Sequence, residues 1–507
     1  MKKKIISINQ AANLIRESKI SSKKVVLCHG VFDLLHIGHI YHFRQAKKFG
    51  DILIVSITPD KFVNKGNNRP KFNTSRRKDA ISELSVVDYV VENKWSDSIN
   101  IIKLLKPNFY CKGQDYKDFK NDTSKKIGLE KKAIESVGGK LIFTNEKTFS
   151  SSNLINTYFS DLSTPQALYI KKIKSKYSFL QIKKFFDKLN SVNLLLIGES
   201  IIDEYVFCET LGKSGKEPVL VLKNIKKEKY PGGAVAIART LGDFVKSIYF
   251  KSVIGYKEEY KKYIENNLPR NCKYFFIKKN NSPTILKSRF VEIINKNKLL
   301  GIYNINDDPI NESEEKQLSQ NLKSTLNKTN LIIVSDFGHG FITKKIAKQI
   351  SSSNKFIALN AQINSSNMGY NSIEKYKNIN FLIINETELR YQLRDKNENL
   401  KKLIIEIVKK LKLEIIVVTS GSSGATLYDS KKKKFFIIPA FANKVVDKIG
   451  SGDTMLSILS ICLKIKMPND LALFISSLAA AESVENMGNS LILKKLNILK
   501  KIEHLLK

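Results

Sequence analysis

The sequence predicts an α/β protein built from two doubly wound domains, and three observations point to this class. The chain has 507 residues, whereas a single hydrophobic core stops growing at about 250–300 residues. Short apolar segments alternate with amphipathic ones, as expected for strands and helices that follow one another around a parallel sheet. A glycine-containing turn joins an apolar strand to a helix in each half of the chain.

The first domain is predicted over residues 1–160. An amphipathic helix is predicted at 38–49, and a second helical segment at 80–85. Apolar segments typical of strands lie at 25–28, 51–57, 86–91, 109–112 and 140–144. Strands separated by helices favour a parallel sheet with helices on both faces.

A linker is predicted over residues 161–189, where the alternating pattern lapses into Ser-Thr-Pro and a basic run. The second domain is predicted over 190–507, and the last element assigned within it is an apolar helix at 454–463. Its apolar strand segments lie at 193–198, 331–334, 356–359, 381–384 and 414–418. The two halves share an architecture but no motif, so they are not repeats of each other.

The composition is strongly basic, with 86 Lys and Arg residues against 48 Asp and Glu residues and a formal net charge of +38. Such a charge is typical of proteins that bind nucleic acids. The lysines are spread along the chain, however, and no basic helix, zinc finger or aromatic RNA platform accompanies them. We therefore predict no nucleic-acid partner and expect the positive field to favour anionic, phosphorylated substrates.

The cysteines and the hydropathy pattern indicate a cytoplasmic protein. Cysteines at 28, 111, 208, 272 and 462 form no CxxC or other metal-binding spacing, which predicts free thiols in a reducing compartment. The lysine-rich start turns polar within seven residues, unlike a secretory signal. No run of 18 apolar residues occurs, so no membrane partner is expected.

Four of the six histidines lie between positions 29 and 42. The segment His-Gly-Val-Phe-Asp-Leu-Leu-His-Ile-Gly-His at 29–39 leads from an apolar strand into a helix, whose first N–H groups attract phosphate. His36 and His39 are three residues apart and share one helix face. Their rings could stabilise the charge that develops as pyrophosphate leaves a nucleotide. The alternatives are a zinc pair or a structural helix cap, and no third zinc ligand is spaced nearby.

Further motifs follow in order: Thr-Pro-Asp at 58–60, Lys-Gly at 65–66, Lys-Gly-Gln-Asp-Tyr at 112–116 and Ser-Ser-Ser-Asn at 150–153. With these motifs, the segment resembles the cytidylyltransferase-like family, in which a substrate phosphate attacks the α-phosphorus of a nucleoside triphosphate. The resemblance implies that His36 and His39 are catalytic. It also implies a nucleotide-binding set: Gly30, Phe32, Asp33, Gly38, Lys65, Arg77, Lys112, Gly113, Asp115, Ser150, Ser151 and Ser152.

Gly-Ser-Gly-Asp at 450–453 precedes an apolar helix in the second domain. The backbone amides of such a turn suit a transferring phosphoryl group. Asp453 is then placed to take a proton from an attacking hydroxyl. Taken alone, the turn could equally be an ordinary helix cap. Asp447, Asn-Glu-Thr-Glu at 385–388 and Thr-Ser-Gly at 419–421 provide the context that favours a phosphotransfer site.

With Asp203 and the Pro-Gly-Gly-Ala segment at 231–234, these motifs resemble the ribokinase (PfkB) family of sugar kinases. The closest resemblance is to the heptose-phosphate kinase part of bifunctional ADP-heptose synthases. It implies Asp453 as the catalytic base and a substrate-binding set of Asp203, Gly232, Gly233, Lys287 and Arg289. The implied nucleotide and anion-hole residues are Asn385, Glu388, Thr419, Gly421, Asp447, Gly450, Ser451 and Gly452, with Asn385 and Glu388 holding Mg2+ through water.

Several positions depart from the ribokinase pattern. Ala236 stands where the family usually has Asn, and His339 stands where it usually has Lys. Asn-Ala-Gln at 360–362 replaces a typical Asp-Pro-Lys. A shifted substrate or a weakened kinase is therefore expected. The domain order, with the nucleotidylyltransferase first, is expected to be the reverse of that in the familiar bifunctional heptose enzymes.

These resemblances imply an N-terminal Rossmann-like HxGH nucleotidylyltransferase fold and a C-terminal ribokinase-like fold. The kinase would phosphorylate a sugar or sugar phosphate, and the first domain would join a sugar 1-phosphate to a nucleotide from ATP or CTP. Mg2+ is expected in both sites, and ADP-heptose is the most specific product expected. The alternative is a cytidylyltransferase acting on an alditol or other phosphate, with a kinase-like domain that only binds ligand. Sugar phosphates and nucleotides are the expected partners, and homo-oligomerisation is common in both families.

Overall fold

The computed structural model describes residues 4–63, 69–114, 117, 126–145, 162–363, 367 and 371–506. The chain divides into two compact units. The first comprises Met1–Leu162 with Leu499–Lys507, and the second comprises Ser163–Ile498. Among the described residues, no helix has both the length and the apolar composition needed to cross a bilayer.

The first unit contains a five-stranded sheet. Its strands are β1 (Val25–Gly30), β2 (Ile52–Ile57), β3 (Tyr89–Glu92), β4 (Phe109–Lys112) and β5 (Lys140–Phe143). Its described helices are α1 (Ile8–Ile20), α2 (Ile37–Lys47), α3 (Thr74–Ser82), α4 (Ile99–Leu105) and α5 (Lys126–Glu135). The helix predicted at 80–85 therefore begins earlier, because Asn73 caps it by accepting a hydrogen bond from the Arg76 amide at 3.0 Å.

All strand pairs of this sheet are parallel, in the order β3-β2-β1-β4-β5. The strand order reverses between β1 and β4, so the loops that follow these two strands diverge and leave a crevice. The loops that follow β1, which ends at Gly30, and β4, which ends at Lys112, border this crevice. Separate apolar clusters cover the two faces of the sheet, as expected for a doubly wound fold.

The second unit is built on a larger sheet and a small additional one. Its strands are β6 (Asn193–Gly198), β7 (Ser200–Lys213), β8 (Leu220–Gly232), β9 (Ser247–Gly255), β10 (Cys272–Lys279), β11 (Ile285–Glu292), β12 (Lys298–Asn304), β13 (Leu331–Asp336), β14 (Phe356–Ala361), β15 (Phe381–Asn385), β16 (Ile415–Thr419), β17 (Ala425–Asp429) and β18 (Lys434–Ile438). Nine of these strands form the main sheet, in the order β10-β9-β6-β13-β14-β15-β16-β17-β18. The pairs from β10 to β16 are parallel, and only the two last pairs are antiparallel.

Helices cover both faces of the main sheet. They are α6 (Thr164–Lys176), α7 (Phe179–Lys188), α8 (Gly233–Leu241), α9 (Lys261–Asn267), α10 (Glu312–Leu326), α11 (Lys344–Ser351), α12 (Glu386–Leu393), α13 (Leu400–Leu411), α14 (Ser451–Lys464) and α15 (Asn469–Val484). The last described helix, α16 (Lys495–Leu506), begins in the second unit, and its residues from Leu499 onward are assigned to the first. Every residue from Thr454 to Leu463 in α14 is buried, which explains the continuous apolar run in the sequence. The predicted class, α/β with doubly wound sheets, is confirmed.

A separate four-stranded sheet, in the order β12-β11-β7-β8, was not predicted from the sequence. Strands β7 and β11 run parallel, whereas β7 pairs with β8 and β11 pairs with β12 in antiparallel fashion. The first nine residues of β7 are buried and its far end is exposed. A strand that changes environment along its length lacks the regular alternation by which half-buried strands are predicted.

The segment predicted as a linker, 161–189, contains two helices, α6 and α7. Ile173 in α6 and Ile182 in α7 are fully buried. The Tyr169 hydroxyl donates a hydrogen bond to the backbone carbonyl of Asp470 at 3.1 Å, and Lys176 forms an ion pair with the Asp470 carboxylate at 2.7 Å. These contacts attach the segment to α15 within the second unit.

Ile173→Ala is expected to destabilise the second unit by about 2–5 kcal/mol, because truncating a buried aliphatic side chain leaves a cavity. The measurement is urea-induced unfolding followed by circular dichroism. Leu168→Ala, on the same helix but with Leu168 63% exposed, serves as the control and should change stability by about 0.5 kcal/mol or less. Equal and small effects of both substitutions would mean that 161–189 is an unpacked linker.

Candidate active sites

The first site lies where β1 ends and α2 begins. His36 is the N-cap of α2, and its Nδ1 accepts a hydrogen bond from the Gly38 amide at 3.1 Å. The neutral ring therefore carries its proton on Nε2, which is a hydrogen-bond donor. Burial lowers the pKa of His36, so this neutral donor form is favoured near neutral pH.

The two predicted catalytic histidines lie together. The rings of His36 and His39 stack with their centroids 4.0 Å apart, and Phe32 packs edge-on against His39 at 5.2 Å. Phe32 adopts a left-handed backbone conformation with φ 50°. A Cβ at Gly30 would approach the Phe32 ring to 2.8 Å, so glycine is required at this position. The structure thus brings Gly30, Phe32, His36, Gly38 and His39 together.

Asp33 faces a neighbouring loop. Its carboxylate is 3% exposed. It accepts hydrogen bonds from the Phe72 amide at 3.1 Å and from Arg69 Nη1 at 3.2 Å. Asp33 therefore connects the histidine segment to the loop that precedes α3. Nucleotide binding by Asp33, which the resemblance implies, stays a prediction.

Arg77 is also engaged by protein groups. Its guanidinium, 2% exposed, donates to the carbonyl oxygens of Val31 and Thr58 and to the Asp60 carboxylate at 2.5, 2.9 and 2.6 Å. A fourth bond reaches the Phe72 carbonyl at 2.9 Å. The side chain thereby ties together the loops that follow β1 and β2. Nucleotide binding by Arg77, which the resemblance implies, stays a prediction.

Lys112 lies at the end of β4, on the other side of the crevice. Its ammonium forms an ion pair with Glu130 at 3.2 Å. A Cβ at Gly113 would meet no atom of the described residues within 4 Å. Five residues of the predicted nucleotide-binding set lie outside the described residues: Lys65, Asp115, Ser150, Ser151 and Ser152.

The second site is formed at the turn before α14. Gly450 caps the helix in a left-handed conformation, with φ 82°, and a Cβ there would meet Asn489 Oδ1 at 2.0 Å. Asp453 lies in the first helical turn. Burial, the Asp203 carboxylate and, more weakly, Glu388 raise the pKa of Asp453 to about 7, while Lys287 opposes the shift. These couplings indicate that the predicted catalytic and substrate-binding groups lie close together.

Three charged side chains of β7 and β11 belong to this site: Asp203, Lys287 and Arg289. Arg289 Nη1 donates to Asp203 Oδ1 at 2.6 Å, and Lys287 is 7% exposed. Burial lowers the pKa of Lys287, and Asp203 partly restores it. A Cβ at Gly232 would approach Asp203 Oδ2 to 2.2 Å. The register explains the grouping, since Asp203 pairs with Lys287 across β7 and β11.

The predicted magnesium pair, Asn385 and Glu388, forms a capping box at the start of α12. Asn385 Oδ1 accepts from the Glu388 amide at 2.8 Å, and Glu388 Oε2 accepts from the Asn385 amide at 3.0 Å. Burial raises the pKa of Glu388 to about 7. Thr419 lies opposite Asn385 in the β15–β16 register, and Gly421 follows with φ 56°.

Asp447 supports the phosphotransfer turn. It is 3% exposed and accepts hydrogen bonds from the Tyr205 hydroxyl, from Lys298 Nζ at 2.6 Å and from the Gly488 amide at 3.0 Å. Although burial alone would raise its pKa, Lys298 and Tyr205 hold the pKa below its ordinary value. These donors place Asp447 in a structural network. Membership of Asp447 in the nucleotide and anion-hole set stays a prediction.

A buried carboxylate pair beside the second site was not singled out from the sequence. Glu199, fully buried after β6, accepts from the amides of Phe337 and His339 at 3.0 and 3.1 Å. Burial and the nearby Asp336 raise the pKa of Glu199. Asp336 in turn binds Lys375 Nζ at 2.6 Å. A glutamate directly after a fully apolar strand was the available signal.

Among the positions that depart from the family pattern, His339 lies beside this pair, since its amide donates to Glu199. His339 is 1% exposed, and its Nδ1 lies 2.5 Å from Asp307 Oδ1. Asp307, Gly338 and Gly340 border an open cavity of about 1110 Å³. Ala236 is buried in α8, and the Asn360 side chain donates to a neighbouring strand at 3.0 Å.

The family model for pfkB family carbohydrate kinases matches residues 192–496, which is more than half of the chain. The chain belongs to the pfkB family of carbohydrate kinases. A second family model, described as cytidylyltransferase-like, matches residues 27–157. This member of the pfkB family therefore carries a cytidylyltransferase-like domain that precedes its kinase domain along the chain.

Several curated relatives carry the name bifunctional protein HldE. That of Campylobacter jejuni is 26% identical over 300 residues, which cover 58% of this pfkB family chain and 62% of the relative. That of Campylobacter fetus is 37% identical over 156 residues, 30% of this chain and 31% of the relative. The matches thus span less than two thirds of these relatives.

Solved structures similar to the chain come from the same group of kinases. A ribokinase from Arabidopsis thaliana, complexed with ribose and ATP, is matched over 62% of this chain and 99% of its own, with 19% identity and a TM-score of 0.47. Phosphofructokinase-2 from Escherichia coli is matched over the same shares, with 15% identity and a TM-score of 0.48.

Asp453→Asn is expected to stabilise the folded second unit at about pH 8 by about 1–4 kcal/mol. Burial raises the pKa of Asp453 from 3.8 to about 7, so the ionised form destabilises the folded state above that pKa. The gain should shrink toward about pH 5, where the folded wild type is protonated. Urea unfolding at both pH values measures the difference.

The exposed Glu406→Gln substitution is the control for this comparison and should be neutral at both pH values. An Asp453→Asn protein no more stable than the wild type at either pH would contradict the proposed burial of the Asp453 charge.

Proposed function

We propose that this chain is a bifunctional enzyme that phosphorylates a sugar or sugar phosphate and couples a sugar 1-phosphate to a nucleotide. The proposal rests on the presence, in one chain, of two sites with different functional groups. One has the stacked His36–His39 pair at a helix start, and the other has Asp453 at a left-handed glycine turn. The name bifunctional protein HldE, borne by relatives similar to the chain, supports it.

In the proposed nucleotidyl transfer, an oxygen of the sugar phosphate attacks the α-phosphorus of a nucleoside triphosphate. A phosphorus–oxygen bond to the acceptor forms, and the α–β bridging bond breaks as pyrophosphate leaves. The Nε2–H of His36 and the ring of His39 would donate to the phosphate oxygens and stabilise the developing charge. The start of α2 adds backbone N–H groups and the positive end of a helix dipole.

In the proposed kinase step, Asp453 removes the proton from a sugar hydroxyl as that oxygen attacks the γ-phosphorus of ATP. The bond from the γ-phosphorus to the β–γ bridging oxygen breaks, and ADP leaves. A pKa of about 7 suits a general base near neutral pH. Lys287 and Arg289 supply positive charge for an anionic group on the sugar, while Asp203 holds Arg289 in place at 2.6 Å. The amides after Gly450 face the transferring phosphoryl group.

Mg2+ binding is compatible with the capping box of α12. Each oxygen of Glu388 accepts one backbone hydrogen bond, from Asn385 and, at 3.3 Å, from Ile363. A carboxylate oxygen has a second acceptor site, so Glu388 retains the capacity to hold a hydrated ion through water. Bound Mg2+ would neutralise phosphate charge during transfer.

The motifs and the exposed apolar side chains support more specific proposals about the product, the nucleotide donor, the location and the oligomeric state. ADP-heptose is the proposed product, ATP or CTP the nucleotide donor, and the cytoplasm the proposed location. We also propose a homo-oligomer, because the four-stranded sheet leaves apolar side chains exposed: Leu211, Leu220, Leu300 and Ile302. Light scattering on the purified chain would distinguish an oligomer from a monomer.

The central test separates the two activities by substitution. His36→Ala is expected to lower pyrophosphate release about 100- to 1000-fold, because it removes a donor to the transition state, and to leave ADP formation unchanged. Asp453→Ala is expected to lower ADP formation by about 100-fold or more without changing transfer to a supplied sugar 1-phosphate. The assay offers ATP or CTP with a panel of sugars and sugar phosphates and measures both products.

His504→Ala and Asp395→Ala are the matched controls, since both residues lie outside the two sites, and both variants should keep wild-type rates. Unchanged pyrophosphate release by His36→Ala would refute the nucleotidylyltransferase assignment. If overall turnover from the unphosphorylated sugar were insensitive to Asp453→Ala, the second unit would be a ligand-binding module rather than a kinase.

A further inference from the structure

Three potential metal ligands converge in the first unit, behind the histidine segment. Cys28 on β1 and Cys111 on β4 are directly opposite each other in the parallel register. His42 on α2 lies over them. The ligand atoms of all three side chains lie within 4.8 Å of one another. Neither cysteine has a role in the proposed reaction, so the cluster has no function assigned above.

The surroundings suit a metal that prefers sulfur ligands. Both thiols are fully buried among apolar neighbours that include Phe43, whereas His42 is partly accessible. An ion could therefore enter from the helix side. A tetrahedral zinc ion, about 2.3 Å from sulfur and about 2.0 Å from nitrogen, needs ligand atoms about 4 Å apart or closer. Side-chain movements of about 1 Å would close the site.

The hydrogen bonds of His42 prepare one nitrogen for coordination. Its Nδ1 lies 3.0 Å from Thr144 Oγ1, and that hydroxyl donates to the Lys112 carbonyl at 3.4 Å. Because the hydroxyl proton is used on the carbonyl, Thr144 Oγ1 accepts from the Nδ1–H. The lone pair of His42 is then on Nε2. Metal-binding histidines are commonly oriented in this way by a partner on the other ring nitrogen.

Charge balance also favours a divalent ion with two thiolates. We propose that Cys28, Cys111 and His42 bind one Zn2+ ion, with a water molecule in the fourth position. Binding replaces two thiol protons, which are released to solvent, so the buried group carries no net charge.

The proposed ion would join three elements that also form the first active site. Cys28 is adjacent to the start of the histidine segment, and Cys111 precedes Lys112. His42 lies one turn beyond His39 on α2. Zinc would thus fix the beginning of α2 against the switch point of the sheet. Because His36 and His39 are not ligands, the site can be tested without reference to catalysis.

The test is a titration of the full-length, chelator-treated protein with Co2+ and Zn2+. The wild type is expected to bind one Co2+ with the thiolate charge-transfer and ligand-field absorption of a tetrahedral site, and Zn2+ should displace it. Cys28→Ser, Cys111→Ser and His42→Ala should each abolish this spectrum. Thr144→Val should weaken binding by about 10- to 100-fold, as loss of an orienting partner does.

Cys208→Ser and Cys462→Ser are the matched controls, because both replace a buried thiol of the second unit, and they should bind like the wild type. A second readout is thermal: Zn2+ should raise the unfolding temperature of the wild type by more than that of Cys28→Ser, whose other metal-binding groups are unchanged. An absent charge-transfer band in the wild type, its persistence in Cys28→Ser, or a Cys28–Cys111 disulfide in place of bound metal would overturn the proposal.

Discussion

The burial of charged groups constrains this molecule more than any other single factor. An ion removed from water is tolerated only when an opposite charge and hydrogen bonds compensate it. Arg77 meets this condition with carbonyl oxygens and Asp60, and Asp203 meets it with Arg289. Each compensated pair also holds two loops or strands together. The geometry of both sites is thus a consequence of how their charges are neutralised.

The two units compensate their buried charges in different ways. In the first, the buried guanidinium of Arg77 is almost saturated by protein acceptors. In the second, Asp203, Lys287, Glu388 and Asp453 influence one another. The pKa of Asp453 therefore depends on which groups are paired with these charged neighbours. An anionic substrate paired with Lys287 would remove the stabilisation that this lysine gives to ionised Asp453.

The sequence predicted contiguous features well and dispersed ones poorly. The His36–His39 pair and the turn at Gly450 were predicted because a few adjacent residues determine a strand end and a helix start. The Asp203–Arg289 pair was predicted as two members of one set, but its 2.6 Å contact joins residues 86 positions apart. Asp447 matched a motif and proved to be bound by Tyr205 and Lys298, because motif spacing does not reveal hydrogen-bond partners. The cysteines showed no metal spacing, since their proximity arises from strand register.

The uneven burial of β7 determines which of its residues could be replaced without disturbing Asp203. Asp203 lies near the start of the strand, where nine successive residues are buried, whereas the far end around Lys213 is exposed. Insertions or replacements at that end would alter the rim of the sheet without moving the carboxylate. The same strand therefore has a buried end that holds Asp203 and an exposed end whose side chains could change without altering the surroundings of that carboxylate.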